Sequence, residues 1–131
     1  DVPVGAIIVH DDIIISRGYN RVELKGNSTE HAEIMAINAA IKKLGYKHLL
    51  DCEMYVTLEP CSMCAGAIVL ARIKKLFIGT HDPKTGASGS LYNITSDERL
   101  NHRCEVHSGI LQAECSAMLK DFFKELRGKK K

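Results

Sequence analysis

The first 20 residues contain two apolar runs that a polar pair separates. Residues 2–10 (VPVGAIIVH) and 13–20 (IIISRGYN) are rich in β-branched side chains, and Asp11 and Asp12 lie between them. Two such runs joined by a short polar turn are typical of an antiparallel hairpin. We therefore predict that the domain opens with two antiparallel strands.

The hydrophobic spacing changes to a helical period between residues 29 and 44. Apolar side chains recur there three or four positions apart, at Ile34, Ile37, Ile41 and Leu44. Thr29 is a residue type that caps helix N-termini, and Gly45 is typical of a helix C-terminus. We predict a helix over 29–44 with Thr29 as its N-cap.

The rest of the chain alternates short apolar strands with helical segments. We predict strands at 54–58, 76–79 and 104–107, helices at 61–71 and after an N-cap at Ser108, and a long loop at 80–96. This order of elements predicts an α/β domain with a mixed sheet of about five strands and helices on both faces.

Composition narrows the class of protein. A chain of 131 residues, 45% of them hydrophobic, suits a single domain with its own core. The net charge of +2 is too small to indicate nucleic-acid binding by itself, and five cysteines favour reduced thiols or a metal over a disulfide framework. Without an apolar run of roughly 18 residues, we expect no membrane partner.

Two cysteines stand at the start of the predicted helix 61–71, in the stretch EPCSMCAG. Cys61 and Cys64 are three positions apart, so both sulfurs project from one side of the helix N-terminus, where the helix dipole favours thiolates. Redox pairs, structural zinc sites and catalytic zinc sites all share this spacing. The cysteine pair alone therefore leaves these three alternatives open.

A second helix start, in EHAEIMA, offers complementary groups. His31 and Glu33 are both able to reach a metal that lies near the axis at the tip of a helix. His31, Cys61 and Cys64 make three zinc ligands, and three protein ligands are typical of a catalytic site. Glu33 is then the candidate catalytic acid and base. The alternatives are a redox pair or a structural site closed by a fourth ligand such as Cys52.

The pattern H-x-E followed by P-C-x-x-C is the signature of zinc-dependent nucleobase deaminases. Further segments resemble the bacterial-type tRNA-specific adenosine deaminases over almost the whole chain: DVPVGAIIV, GYNR, YVTLEPCSMCAGAIVLARI, DPKTGASGSLYN, LNHR and FFKELR. The resemblance implies a three-layer α/β/α cytidine deaminase-like fold. We expect one domain over 1–131 that lacks the helix preceding DVPVG in the family and that ends in a basic tail, 127–131.

The resemblance also implies an activity and a set of site residues. It implies hydrolysis of adenosine to inosine at the wobble position of a tRNA anticodon, one Zn²⁺ per subunit, a homodimer and a cytoplasmic enzyme. His31, Cys61 and Cys64 match the zinc ligands, and Glu33 matches the proton shuttle. Residues expected at the RNA substrate are Asn20, Ala32, Asp82, Phe123 and Arg127.

Two alternative functions remain open from the sequence. A deaminase of a free base or nucleoside, such as guanine or cytosine, would use the same zinc chemistry, and only the 80–96 loop and the last helix would distinguish it. A non-catalytic RNA-binding module with a structural zinc ion would have a full set of protein ligands.

Overall fold

The computed structural model describes residues 1–129 of the chain, with side chains described for residues 1–125. Its strands are β1 (Gly5–His10), β2 (Ile13–Tyr19), β3 (Cys52–Leu58), β4 (Lys75–Thr80) and β5 (Glu105–Ser108). The helices of the described chain are α1 (Val22–Lys25), α2 (Ala32–Leu44), α3 (Ser62–Leu70) and α4 (Gln112–Lys129).

The five strands form one mixed sheet in the order β2-β1-β3-β4-β5. β1 pairs antiparallel with β2 and with β3, whereas β3, β4 and β5 run parallel. Asp11 and Asp12 both have positive φ angles, 51° and 62°, as the tight turn of a twisted hairpin requires. The predicted hairpin is confirmed.

The core lies between this sheet and the helices α2 and α3. Strand residues in register point toward those helices in two rows across the sheet, Gly18, Ala6, Val56 and Ile78 in one and Ser16, Ile8, Met54 and Leu76 in the other. α2 approaches closely because it presents alanines, and the Ser16 hydroxyl donates a hydrogen bond of 2.8 Å to the Ala36 carbonyl. The small residues therefore let α2 lie flat on the strands.

On the opposite face of the sheet, α4 packs against β4. A Cβ atom on Gly79 of β4 would lie 2.5 Å from the Cys115 sulfur, so the glycine makes room for this helix. Cys115 is buried in that contact, as are Cys52 and Cys104 elsewhere. Helices on both faces confirm the predicted α/β/α layers. None of the helices within residues 1–129 is long and apolar enough to cross a bilayer.

Both predicted helix N-caps are wrong. α2 begins at Ala32 with His31 as its N-cap, because Thr29 is used in a turn in which its carbonyl accepts the His31 N–H at 2.8 Å. Ser108 belongs to β5, where it pairs with Ile78, and α4 begins only at Gln112. The four-residue helix α1 was not predicted. Gly45, in contrast, ends α2 in a left-handed conformation as expected.

We expect Gly18→Ala to destabilise the fold and to displace the start of α2. The added Cβ would overlap the Ala32 carbonyl oxygen and lie 2.9 Å from the Ala36 nitrogen, both backbone atoms. Overpacking of this kind costs about 1–3 kcal/mol in the free energy of unfolding, measurable by denaturant titration. Gly66→Ala is the matched control, since its Cβ meets nothing within 4 Å. Equal stability of the two variants would contradict the close approach.

Candidate active site

Two helices begin at the same place, and the residue at each start is a potential metal ligand. His31 is the N-cap of α2 and Cys61 the N-cap of α3, both with extended backbone. Neither side chain forms a hydrogen bond that caps its own helix. An N-cap side chain is usually occupied with its own helix N–H groups. Here the imidazole of His31 and the thiol of Cys61 are available to bind a metal ion.

The ligand atoms have the spacing that a zinc ion requires. His31 Nδ1 lies 3.6 Å from Cys61 Sγ and 3.5 Å from Cys64 Sγ, and the three atoms lie within 4.8 Å of one another. Tetrahedral zinc, at roughly 2.0 Å from nitrogen and 2.3 Å from sulfur, places those atoms about 3.5 Å apart. The residues fit the ion without rearrangement.

Cys52, the fourth ligand considered from sequence, does not join this group. It begins β3, and its sulfur lies 3.7 Å from His10 Nδ1 on the neighbouring strand. In the described part of the chain, the group whose geometry could hold a metal ion consists of His31, Cys61 and Cys64. Three ligands favour a catalytic site over a structural one.

The two thiols differ in acidity. A hydrogen bond from Cys64 lowers the pKa of Cys61 to about 5, with help from the backbone N–H groups of Met63 and Cys64 and from His31. The pKa of Cys64 is raised by the same hydrogen bond and by burial. One thiolate is therefore ready at neutral pH before a metal binds, and metal binding releases the second proton.

Glu33 lies in the first turn of α2, beside the candidate ligands. Its side chain is only 3% exposed, and burial is the main reason why its pKa is raised to about 7, with the nearby Cys61 adding to the rise. A carboxyl group with a pKa near the working pH both accepts and donates protons readily. Glu33 thus has the properties of a general acid and base.

Asn20 fixes the position of the α2 N-terminus. Its side-chain oxygen accepts the Ala32 N–H at 2.9 Å, so it supplies the cap that His31 does not. The backbone N–H of Asn20 donates to the Val4 carbonyl at 3.1 Å, which anchors Asn20 to the segment before β1. This use of the oxygen leaves the Nδ2 group of Asn20 as the part available to a ligand.

A cavity of about 540 Å³ opens in front of these groups. That volume falls in the range of small-molecule sites, roughly 300–1,000 Å³. Of the residues predicted at the substrate, Asn20, Asp82 and Phe123 line the cavity together with His31, Glu33 and Cys61. Ala32 is fully buried behind it, and the side chain of Arg127 lies outside the described residues.

Asp82 and Phe123 form different parts of the cavity wall. The Asp82 carboxylate accepts hydrogen bonds from the Lys84 N–H at 3.0 Å and from the Thr85 hydroxyl at 2.7 Å, so it stabilises its own turn. Phe123 is 42% exposed and packs edge to face against Phe122. It presents an aromatic ring at the mouth of the cavity.

Sequence reasoning did not single out Glu59 or His81 as site residues. Glu59 is 2% exposed, and the His81 Nδ1 lies 2.9 Å from its Oε1. Burial raises the pKa of Glu59, but hydrogen bonds from Ser90, His81 and backbone N–H groups outweigh that effect and bring it to about 2. The available signal was an acidic residue directly before Pro60 and Cys61, at the end of an apolar strand.

Comparisons with known proteins agree with this site. A model of the MafB19-like deaminase family matches residues 1–127. The tRNA-specific adenosine deaminase of Bacillus subtilis (strain 168) is 50% identical over 131 residues, which cover 100% of this chain and 81% of the relative. The chain belongs to the tRNA-specific adenosine deaminase family. The Haemophilus influenzae member is 46% identical over 132 residues, with 100% and 76% coverage.

Solved structures extend the family likeness to the fold. A structure from studies of A-to-I editing by tRNA:A34 deaminases at the wobble position has a TM-score of 0.84 and 41% identity, covering 88% of this chain and 84% of the other. The guanine deaminase of Nitrosomonas europaea has a TM-score of 0.77 and 26% identity, covering 91% and 71%. This chain therefore shares its architecture with a deaminase that is named for guanine and not for adenosine.

We expect the purified protein to hold one zinc ion per chain, and Cys61→Ala to hold none at equal zinc exposure. Removing one of three ligands leaves a pair that cannot retain the ion against a chelator. Cys52→Ala is the control, because that cysteine lies outside the ligand group. Metal analysis by mass spectrometry measures the stoichiometry. Loss of zinc in Cys52→Ala, with retention in Cys61→Ala, would contradict the assignment.

Proposed function

We propose that this protein hydrolytically deaminates adenosine to inosine at the wobble position of a tRNA anticodon, with one Zn²⁺ per subunit. The observation that carries the proposal is the meeting of a His/Cys/Cys group that could hold a metal with the buried carboxyl group of Glu33 at one cavity. The relatives named for this activity support the choice of substrate.

When bound, the zinc ion supplies Lewis-acid activation of a water molecule. The protein moves the protons. The Glu33 carboxylate accepts one proton from the water and donates it to the ring nitrogen, then accepts the second proton from the oxygen now bonded to C6 and donates it to the departing amino group. A C–O bond forms at C6, the C–N bond to the amino group breaks, and ammonia leaves. Adenosine and water are thereby converted to inosine and ammonia.

The base must leave its stack to reach Glu33. In a single-stranded anticodon loop such eversion costs less than in a duplex. The cavity offers the everted base the Nδ2 group of Asn20 as a hydrogen-bond donor and the ring of Phe123 as a stacking surface for a neighbouring base. Lys84, which lines the same cavity, supplies a positive charge for the phosphate backbone.

We also propose an oligomeric state and a cellular location for the enzyme. By its family membership we infer a homodimer in which the RNA site is shared across the interface, and a cytoplasmic enzyme that works where tRNA is matured. The basic tail, 127–131, is inferred to contribute phosphate contacts.

A second candidate is deamination of a free purine base. The likeness to a guanine deaminase supports it, since the two folds superpose with a TM-score of 0.77. The higher identity to tRNA-specific enzymes favours the tRNA substrate. The exposed ring of Phe123 at the mouth of the cavity agrees with that choice, because a free base inside the cavity would not need it.

We expect Glu33→Ala to retain zinc and to lower kcat by about 10²–10⁴-fold, the usual contribution of a general acid and base. Glu33 is not among the metal ligands, so the ion should stay bound. Inosine formation on tRNA, measured by chromatography of nucleosides after digestion, reports kcat. Glu53→Ala is the control, because this residue of β3 does not line the cavity. Activity within about twofold of wild type would remove Glu33 from the mechanism.

The two candidate substrates are separable in one ammonia-release assay. We expect the protein to deaminate a tRNA anticodon stem-loop with adenosine at the wobble position, and to show kcat/KM at least about 10³-fold lower for free adenosine and guanine, because contacts outside the reacting base contribute to the transition state. A stem-loop with guanosine at that position is the negative control. Preference for guanine would establish the second candidate instead.

A further inference from the structure

The carboxylate of Glu59 is buried and takes no part in the chemistry described above. Glu59 follows β3, two positions before Cys61, and is 2% exposed. A buried carboxylate is stable only when hydrogen bonds replace its water. Glu59 accepts five, and every donor lies in the segment 81–90, which is far along the chain.

The five donors are divided between the two carboxylate oxygens. Oε1 accepts from the Asp82 N–H at 3.0 Å, from His81 Nδ1 at 2.9 Å and from the Ser90 hydroxyl. Oε2 accepts from the Ser88 N–H at 2.9 Å and from the Ser90 N–H at 3.0 Å. One side chain therefore fixes both ends of the segment.

Backbone contacts complete the attachment of the segment 81–90. The Ala87 N–H donates to the Pro60 carbonyl at 2.8 Å, and the Glu59 N–H donates to the Thr80 carbonyl at 2.9 Å. Gly86 faces the carboxylate so closely that a Cβ would overlap the Glu59 Cδ atom. The loop is thus wrapped around the residues that lead into α3.

The same segment forms the outer wall of the cavity, through His81, Asp82, Lys84 and Thr85. We propose that Glu59 is a positioning residue that holds this wall against the start of α3, so that the wall is already placed to receive RNA when substrate arrives. The proposal rests on the function proposed above, and it identifies the placement of this wall as a determinant of affinity for the RNA substrate. A preformed wall spares the substrate the cost of ordering the loop.

A glutamine at this position cannot reproduce the hydrogen bonds. Each carboxylate oxygen accepts at least one backbone N–H, that of Asp82 on one side and those of Ser88 and Ser90 on the other. Either orientation of the amide therefore places its NH₂ group against an N–H donor. Glu59→Gln is nearly identical in size, so it perturbs the hydrogen bonds with little change in packing volume.

We expect Glu59→Gln to raise KM for the anticodon stem-loop about tenfold, the effect of one lost hydrogen bond to a charged group. Because Glu33 and the ligands are untouched, kcat should stay within about threefold and zinc at one ion per chain. Glu53→Gln is the matched control, since it changes the same residue type in β3, the strand that precedes Glu59, away from the cavity. Its KM should equal that of the wild type.

A merely structural role for Glu59 predicts a different pattern of changes in KM, kcat and zinc content. Partial misfolding lowers the active fraction, so apparent kcat and zinc content fall together while KM stays at the wild-type value; that result would overturn the proposal. If Glu59→Gln does not fold, Ser90→Ala decides, because it removes only the hydroxyl donor. We expect it to raise KM about threefold, and an unchanged KM would equally overturn the proposal.

Hydrogen exchange separates this proposal from the proposed function. The amide protons of Asp82, Ser88 and Ser90 should exchange faster in Glu59→Gln than in wild type, whatever the substrate is. A wild-type protein that leaves the stem-loop unmodified would refute the proposed function, while faster exchange in the variant would still support the positioning of the loop. Equal protection of the three amides in both proteins would refute the role of Glu59.

Discussion

The whole site depends on two helices whose first residues face each other. An N-cap residue has an extended backbone, so its side chain lies at the end of the helix and not on a flank. His31 and Cys61 occupy this position in α2 and α3, and Glu33 and Cys64 follow within the first turn. Four reactive groups therefore meet in a small volume, although each helix alone offers only two.

When an N-cap side chain does not bond to its own helix, neighbouring residues must fix the helix N-terminus instead. For α2 that neighbour is Asn20, whose oxygen accepts the first helical N–H group. The absence of a side chain at Gly18 lets the same helix end lie directly on β2. The segment that leads into α3 is fixed by the hydrogen bond from the Ala87 N–H to the Pro60 carbonyl. The candidate reactive residues are thus positioned by neighbours that do not themselves exchange protons or bind the metal in the proposed mechanism.

The sequence predicted features that depend on nearby residues and missed those that depend on distant ones. The hairpin, the sheet and α2 follow from hydrophobic spacing, because one face of each element is buried. The candidate metal ligands and Glu33 could be chosen from the sequence because each pair belongs to a single helix start. Thr29 was a poor choice of cap because the true partner of the α2 N-terminus, Asn20, lies 12 positions before Ala32. The hydrogen bonds of Glu59 span 22 to 31 positions and have no local pattern.

The separation of the ligands along the chain has a consequence for folding. His31 and Cys64 are 33 positions apart and belong to different helices. An ion that joins them acts as a cross-link and restricts the unfolded chain in the way that a disulfide bridge does, with an entropic gain that grows with the length of the closed loop. Unlike a disulfide, this link would form under reducing conditions. With the proposed zinc ion bound, a deaminase of this design would obtain from one ion both its chemistry and a cross-link between two parts of its core.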